Sequence, residues 1–209
     1  MIVKQIPVSG AIVTNTYFYV DEISRHGFLI DAGAEPDRLL QIIRGNNWQI
    51  EQILLTHGHF DHIGAVNKLC QTLNIPCSAY FNAAQYLADP QYNLSAYFEP
   101  EIKVTDFQPL NEGDTIKLRA DSQIGLKVIY TPGHTQDSVV YYDAANQTAF
   151  VGDTIFKGSY GRTDMPGGDE PQLMQSIVRK ILTLPDDTIL YSGHTPPTTV
   201  KAEKRYFGF

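Results

Sequence analysis

The chain has 209 residues, of which 43% are hydrophobic, 11% aromatic and 19% charged, the composition of a folded body with apolar material for a sizeable core. Collagen-like, disordered and coiled-coil architectures are excluded, because Gly is only 16 of 209, aromatics are plentiful and no heptad pattern runs for several repeats. The net charge of −7 removes the cationic excess of a general nucleic-acid binder, so any anionic ligand must find a local basic patch.

Cys70 and Cys77 are too few for a disulfide framework, and their spacing matches neither a redox pair nor a zinc ribbon. They read as buried thiols in a reducing compartment. The segment Met1 to Gly10 carries no long apolar run, and no stretch approaches the roughly 18 apolar residues of a membrane span. A cytoplasmic protein with no membrane or nucleic-acid partner is expected.

In chain order, Ile2 to Pro7, Tyr17 to Val20 and Phe28 to Ile30 read as strands, broken by Gly10 and by the polar stretch Asp21 to Gly27. Asp31-Ala32-Gly33 ends the third. A short helix follows, with Pro36 at its start, Leu39, Leu40 and Ile43 on one face and Gly45 as its stop. Ile50 to Thr56 is a compact apolar strand that runs into His57-Gly58-His59-Phe60-Asp61-His62. Beyond it Ile63, Val66, Leu69, Cys70 and Leu73 recur at helical spacing, which places the polar cluster between a strand end and a helix start.

Residues 80–104 are less regular and rich in Tyr and Phe, an insert that either lines a pocket or packs on the body. Strands then resume at Thr115 to Leu118, Leu126 to Tyr130, Ser138 to Tyr142 and Thr148 to Val151. Asp169-Glu170-Pro171 opens a second helix with Leu173, Ile177, Ile181 and Leu182 on a shared face. Thr188 to Tyr191 is the last strand and leads into Ser192-Gly193-His194. Two separated strand blocks, each joined to helices and without a linker between them, predict one layered α/β domain over residues 1–209, with two sheets packed together and helices outside.

Of the six histidines, His57, His59, His62, His134 and His194 stand at or close to strand ends, and only His26 lies elsewhere. Three imidazoles and a carboxylate within six residues would repel or stay unsatisfied unless a cation gathered them. His57 and His59 point the same way from extended chain, while Asp61 and His62 turn toward a neighbouring point as the backbone coils. One ion cannot take all four. Pro132-Gly133-His134, Gly152-Asp153 and Gly193-His194 supply further donors, each a ligand-type residue set just past a strand by a glycine. Imidazoles with carboxylates suit zinc first, and iron and manganese also accept them.

The run Thr56-His57-Gly58-His59-Phe60-Asp61-His62 resembles the HxHxDH signature of the metallo-β-lactamase superfamily. Asp31-Ala32-Gly33, Pro132-Gly133-His134-Thr135, Gly152-Asp153-Thr154 and Gly193-His194 resemble its other motifs in order. The continuation through Ile155-Phe156, Gly158, Gly161-Arg162-Thr163-Asp164 and Gly167-Gly168-Asp169 resembles the glyoxalase II (hydroxyacylglutathione hydrolase) branch, in its short bacterial form. The resemblance implies a four-layer αββα sandwich with a metal site at one edge of the two sheets. It implies that His57, His59 and His134 hold one divalent ion, that Asp61, His62 and His194 hold a second, and that Asp153 bridges them. Asp137 stands where relatives often have glycine, and with the sequence reaching only Phe209 the C-terminal helical substrate domain of longer glyoxalase II enzymes is not expected.

Two divalent ions against two carboxylates leave a positive site that lowers the pKa of bound water toward about 7, so a hydroxide shared by the ions is expected to attack a thioester carbonyl. Asp61 both ligates and orients that nucleophile. A thiolate leaving group needs no strong general acid. A small-molecule substrate such as a glutathione thioester calls for cationic contacts, for which Lys157 and Arg162 lie nearest in sequence to Asp153, with Lys201, Lys204 and Arg205 in the tail. Asp31 is expected to orient a ligand, not to bind metal. The alternatives are a mono-iron persulfide dioxygenase-like oxidoreductase, a lactone or ester hydrolase of the same fold, and a metal-dependent binding module.

Overall fold

Apolar side chains on consecutive strand positions require cover on both faces of a sheet. The computed structural model, which describes residues 1–98 and 100–209, provides it. Strands β1 (Ile2–Ser9), β2 (Val13–Val20) and β3 (His26–Ile30) form an antiparallel meander, and β4 (Gln49–Leu54), β5 (Cys77–Tyr80) and β6 (Gln108–Leu110) extend it in parallel. Helices α1 (Pro36–Gly45), α2 (Phe60–Ile63), α3 (Val66–Leu73) and α4 (Ala84–Ala88) belong to this half. Along β2, Phe18 packs with the helix residues Leu39, Ile43 and Leu69, whereas Tyr17 and Tyr19 pack against the second sheet.

That second sheet has the order β14-β13-β10-β9-β8-β7, with β7 (Thr115–Lys117), β8 (Gly125–Tyr130), β9 (Val139–Asp143), β10 (Thr148–Gly152), β13 (Ile189–Ser192) and β14 (Thr198–Thr199). A separate hairpin, β11 (Ile155–Phe156) with β12 (Ser159–Tyr160), follows β10. Tyr141 and Phe150 face the first sheet, and Val140, Ala149 and Val151 face α5 (Glu170–Ser176) and the π-helical turn Ile177–Ile181 that continues it. The chain closes with α6 (Val200–Tyr206). Three apolar layers between four layers of elements make an αββα sandwich, as expected. Deleting a side chain from one of them, as in Ile53→Ala, costs about 2–5 kcal/mol.

The differences from the expected elements are local. Strand β2 starts at Val13, four residues early, because Asn15 and Thr16 are buried with satisfied polar groups: Asn15 Nδ2 donates to Ser192 O at 3.0 Å and Thr16 Oγ1 to Asp31 O at 2.5 Å. The helix after the histidine cluster is split into α2 and α3 at Gly64. Strands β6, β11, β12 and β14 are two or three residues long and α4 and α6 only five and seven, too short for periodicity to reveal. Within the aromatic stretch 80–104, position 99 lies outside the described residues. Among the described residues no helix is long and apolar enough to cross a membrane.

Candidate metal centre

Every expected donor lies where a strand of one sheet or the other ends. Beyond β4 the chain bends at Thr56 and reaches His59, whose extended φ of −69° and ψ of 147° precede the first turn of α2, and that turn carries Asp61 and His62. His134 sits in the loop from β8 to β9, Asp153 directly after β10, and His194 shortly after β13. Gly152 has φ 49°, and a Cβ there would overlap Thr56 Oγ1; a Cβ on Gly193 would overlap Asp153 Oδ1 and crowd His62. Glycine before each donor therefore lets two strand ends approach the histidine loop.

The donors fall into overlapping groups, with His57, His59 and His134 on one side, Asp61, His62 and His194 on the other, and His57, His62 and Asp153 linking them. His59 Nδ1 lies 3.1 Å from His57 Nε2 and 3.0 Å from His134 Nε2. Asp61, His62 and His194 converge beside them, with Asp61 Oδ2 at 3.5 Å from His62 Nε2 and 3.3 Å from His194 Nε2. Asp153 stands between the sets: its Oδ2 is 3.6 Å from His134 Nε2 and 3.1 Å from His194 Nε2, and its Oδ1 is 3.4 Å from His62 Nε2.

Hydrogen bonds on the far side of the rings fix which nitrogen faces the centre. His62 Nδ1 lies 2.9 Å from Asp31 Oδ2, His134 Nδ1 2.7 Å from Arg162 O, and His194 Nδ1 3.0 Å from Val13 O. Thr56 Oγ1 donates to Asp31 Oδ2 at 2.7 Å and lies 3.1 Å from His57 Nδ1, so the acceptor left on that hydroxyl orients His57. Thr14 Oγ1 donates to Asp61 Oδ2 at 2.6 Å. Asp31 thus acts on His62 and Thr56 and lies outside the donor groups themselves.

Burial and the neighbouring imidazoles hold His57 far below its ordinary pKa, and His59 falls to about 3 for the same reasons; His134 is lowered by burial as well. Burial would raise Asp61, but His62 and His194 outweigh it and hold the carboxyl at about 2; Asp153 is lowered likewise. The carboxylates overcome burial at His62, which is raised, and at His194, which reaches about 10. Without metal, three neutral imidazoles face one another while two protonated ones stand among carboxylates. His62 Nε2 and Asp153 Oδ1 are buried without hydrogen-bond partners among the described residues. Neutral lone pairs aimed at a common point and orphaned atoms between carboxylates fit two divalent cations.

Over the donors lies an open cavity of about 460 Å³, lined by His59, Asp61, His134, Asp153 and His194 together with Ile12, Phe60, Leu94, Phe156 and Arg162. Arg162 is 60% exposed and makes a two-point pair with Asp164 at 2.7 and 2.8 Å. Lys157 is exposed and is not among the lining residues; its backbone N–H donates to Thr195 Oγ1 at 3.0 Å. Lys204 pairs with Asp186 at 2.6 Å. The aromatic insert divides its labour: Tyr86 is buried against Gly58, while Phe98 stacks on Phe60 with centroids 4.5 Å apart. Asp137 is buried, neither carboxylate oxygen has a partner among the described residues, and burial pushes its pKa up to about 7.

Thr14 escaped the sequence reading. Thr14 precedes the apolar part of β2, and its only sequence signal is the polar run Thr14-Asn15-Thr16 inside a strand.

The family description of the Metallo-beta-lactamase superfamily matches residues 9–194. The chain is 33% identical over 208 residues to the hydroxyacylglutathione hydrolase GloC of Haemophilus influenzae, covering 98% of this chain and 96% of the relative. It superposes on the crystal structure of the BLEG-1 B3 metallo-beta-lactamase with a TM-score of 0.91 and 35% identity, covering 98% of this chain and 97% of that one. On the di-iron-bound form of TTHA1623 the TM-score is 0.83 at 33% identity, with 96% and 98% covered.

Proposed function

Because the chain belongs to the metallo-beta-lactamase superfamily, we propose that it is a binuclear metal-dependent hydrolase that cleaves a thioester of the hydroxyacylglutathione type. The observation that carries this reading is the arrangement of seven donors in two sets, with Asp153 within 3.6 Å of both. The 33% identity to GloC over 98% of the chain favours the thioester among the substrates of the family. His57, His59 and His134 would hold one ion and Asp61, His62 and His194 the other. Zinc is the first choice for these donors, and the similarity to a di-iron protein makes iron a concrete alternative.

When bound, the ions supply a water that ionises near neutral pH and a Lewis acid for the carbonyl oxygen. The side chains supply order. Thr14 grips Asp61 Oδ2 at 2.6 Å, so the carboxylate keeps one orientation and is placed to accept a hydrogen bond from the nucleophile. Asp31 keeps His62 Nε2 turned inward, and Arg162 O does the same for His134. The leaving thiolate, with a thiol pKa near 8.5, departs without a strong general acid. Arg162 lines the cavity and is the cation available to an anionic arm of the substrate.

Asp61→Asn tests the reading: at full metal occupancy it should keep the fold and lower thioester hydrolysis on the order of a hundredfold or more. Undiminished turnover would remove Asp61 from its role. Elemental analysis with a panel of thioesters, lactones and esters tests the substrate class, and a protein that cleaves only lactones or esters contradicts it.

A further inference from the structure

Two side chains separate the cavity over the donors from a neighbouring groove. Ile12, which is 44% exposed in the turn between β1 and β2, and Phe60, at the start of α2, line both spaces, and Asp61 does so as well. The groove measures about 260 Å³ and runs between that turn and Ser95, Phe98, Pro100 and Ile102, with Ala34 adding to its apolar surface. Among its described lining residues the charged groups are Asp61, which Thr14 and His194 engage, and Glu35, whose carboxylate takes the Ser9 N–H at 3.1 Å and Arg38 at 2.7 Å.

The segment that walls the groove is tied down. Buried Asn93 accepts the Ser95 N–H and donates to Ile102 O, both at 2.9 Å, and its carbonyl accepts the Phe60 N–H at 2.9 Å. Leu94, between these anchors, has φ 71°, a left-handed conformation that a bulky residue holds only where its surroundings impose it. The outcome is a Leu94 that lines the donor cavity and a Phe98, 39% exposed, that lines the groove and stacks on Phe60. Ile12, Phe60 and Asp61 thus border both the donor cavity and the groove.

We propose that this groove is the acyl pocket of the enzyme and takes an apolar acyl group, an aryl ring or a short alkyl chain, whose carbonyl lies at the donor set. This rests on the thioester reading above and sets an apolar acyl group in place of the hydroxyacyl group of that reading. The size fits, since an apolar cavity of about 150 Å³ holds benzene and the groove offers 260 Å³. A carboxylate placed there would meet Glu35 and Asp61 and no cation among the described lining residues. The anionic part of the substrate then lies on the side of the donors where Arg162 lines the cavity.

The test uses the metal-loaded protein and two series of inert S-alkyl thioethers, of glutathione and of N-acetylcysteamine, with methyl, butyl and hexyl chains, measured by calorimetry. Affinity should rise about fourfold for each methylene buried until the groove is full, in at least one series. Ala34→Phe, which fills the groove, should flatten that rise. Ala11→Phe, on the exposed turn that edges the groove, is the second variant should Ala34→Phe fail to fold. In parallel, S-hexanoyl and S-phenylacetyl thioesters should exceed S-lactoyl and S-acetyl thioesters in kcat/KM about tenfold or more. Flat affinity in both series, with thioesters still cleaved, overturns the acyl pocket and leaves the thioester reading standing. A chain-length gain without cleavage of any thioester overturns that reading, and the acyl assignment falls with it.

Discussion

His62 Nδ1 lies 2.9 Å from Asp31 Oδ2, the same oxygen that accepts the Thr56 hydroxyl at 2.7 Å, and that hydroxyl in turn lies 3.1 Å from His57 Nδ1. One carboxylate therefore sets the orientation of an imidazole in each donor set. Asp31 has φ 55°, which asparagine tolerates, so Asp31→Asn removes the charge with little change in backbone conformation. It should weaken binding of the second ion about 10- to 100-fold. Chelator competition measures this, and unchanged affinity would contradict the orienting role.

Thr14→Val keeps the shape of a buried side chain and removes the hydroxyl that grips Asp61 Oδ2. The loss of a hydrogen bond to a charged group, about 1.5–3 kcal/mol, should appear chiefly as a fall in kcat of about tenfold or more. Metal content should stay full. A variant with wild-type kcat would show that Asp61 needs no such support.

Metal-free protein should be most stable near pH 6.5, the ordinary histidine value. Below it, the unfolded chain protonates histidines that the fold keeps neutral, His59 down to about 3, so stability falls as pH falls. Above it, the fold retains protons that the unfolded chain loses, on His194 up to about 10, so stability falls as pH rises. Loading the centre at pH 8 should release about two protons, from His62 and His194, and flatten the profile. Thermal melts with and without metal across this range check the sign on each side, and loading without proton release would contradict the assigned charge states.

Asp137 is a buried carboxyl without a partner among the described residues, and burial raises it to about 7. Between its ordinary value of 3.8 and about 7 the folded protein holds a proton that the unfolded chain has lost, so Asp137 destabilises increasingly over that range and fully above it. Asp137→Asn should therefore stabilise metal-free protein more at pH 8 than at pH 5, by on the order of 2 kcal/mol. Equal effects at the two pH values in denaturant titrations would show that Asp137 ionises freely.

The sequence is informative wherever a strand end meets a donor. Glycine before His134, Asp153 and His194, and the spacing of the histidine run, mark these side chains as candidate donors at strand ends, while their grouping is implied only by the family resemblance, and the apolar runs of β4, β9 and β10 require cover on both faces. What it concealed depends on contacts between remote segments. Thr14 and Asn15 look like a strand-breaking polar pair until Asp61 and Ser192, far along the chain, provide their partners. Lys157 and Arg162 look alike in sequence, yet of the two Arg162 lines the cavity, because Lys157 lies in the turn of the β11 to β12 hairpin and Arg162 follows it, and a hairpin two residues a side leaves no periodic trace. Beside the groove, Asn93 ties Ser95 to Ile102 across seven residues of chain, which no local pattern announces.

The central claim is that seven side chains from separated strand ends hold two cations with Asp153 between them. Diffraction from metal-loaded crystals, collected on both sides of the zinc, iron and manganese absorption edges, tests it most directly. The account predicts two anomalous peaks, one among His57, His59 and His134 and one among Asp61, His62 and His194, with Asp153 in contact with both. A single peak at full loading, or a pair of peaks elsewhere in the molecule, would contradict it.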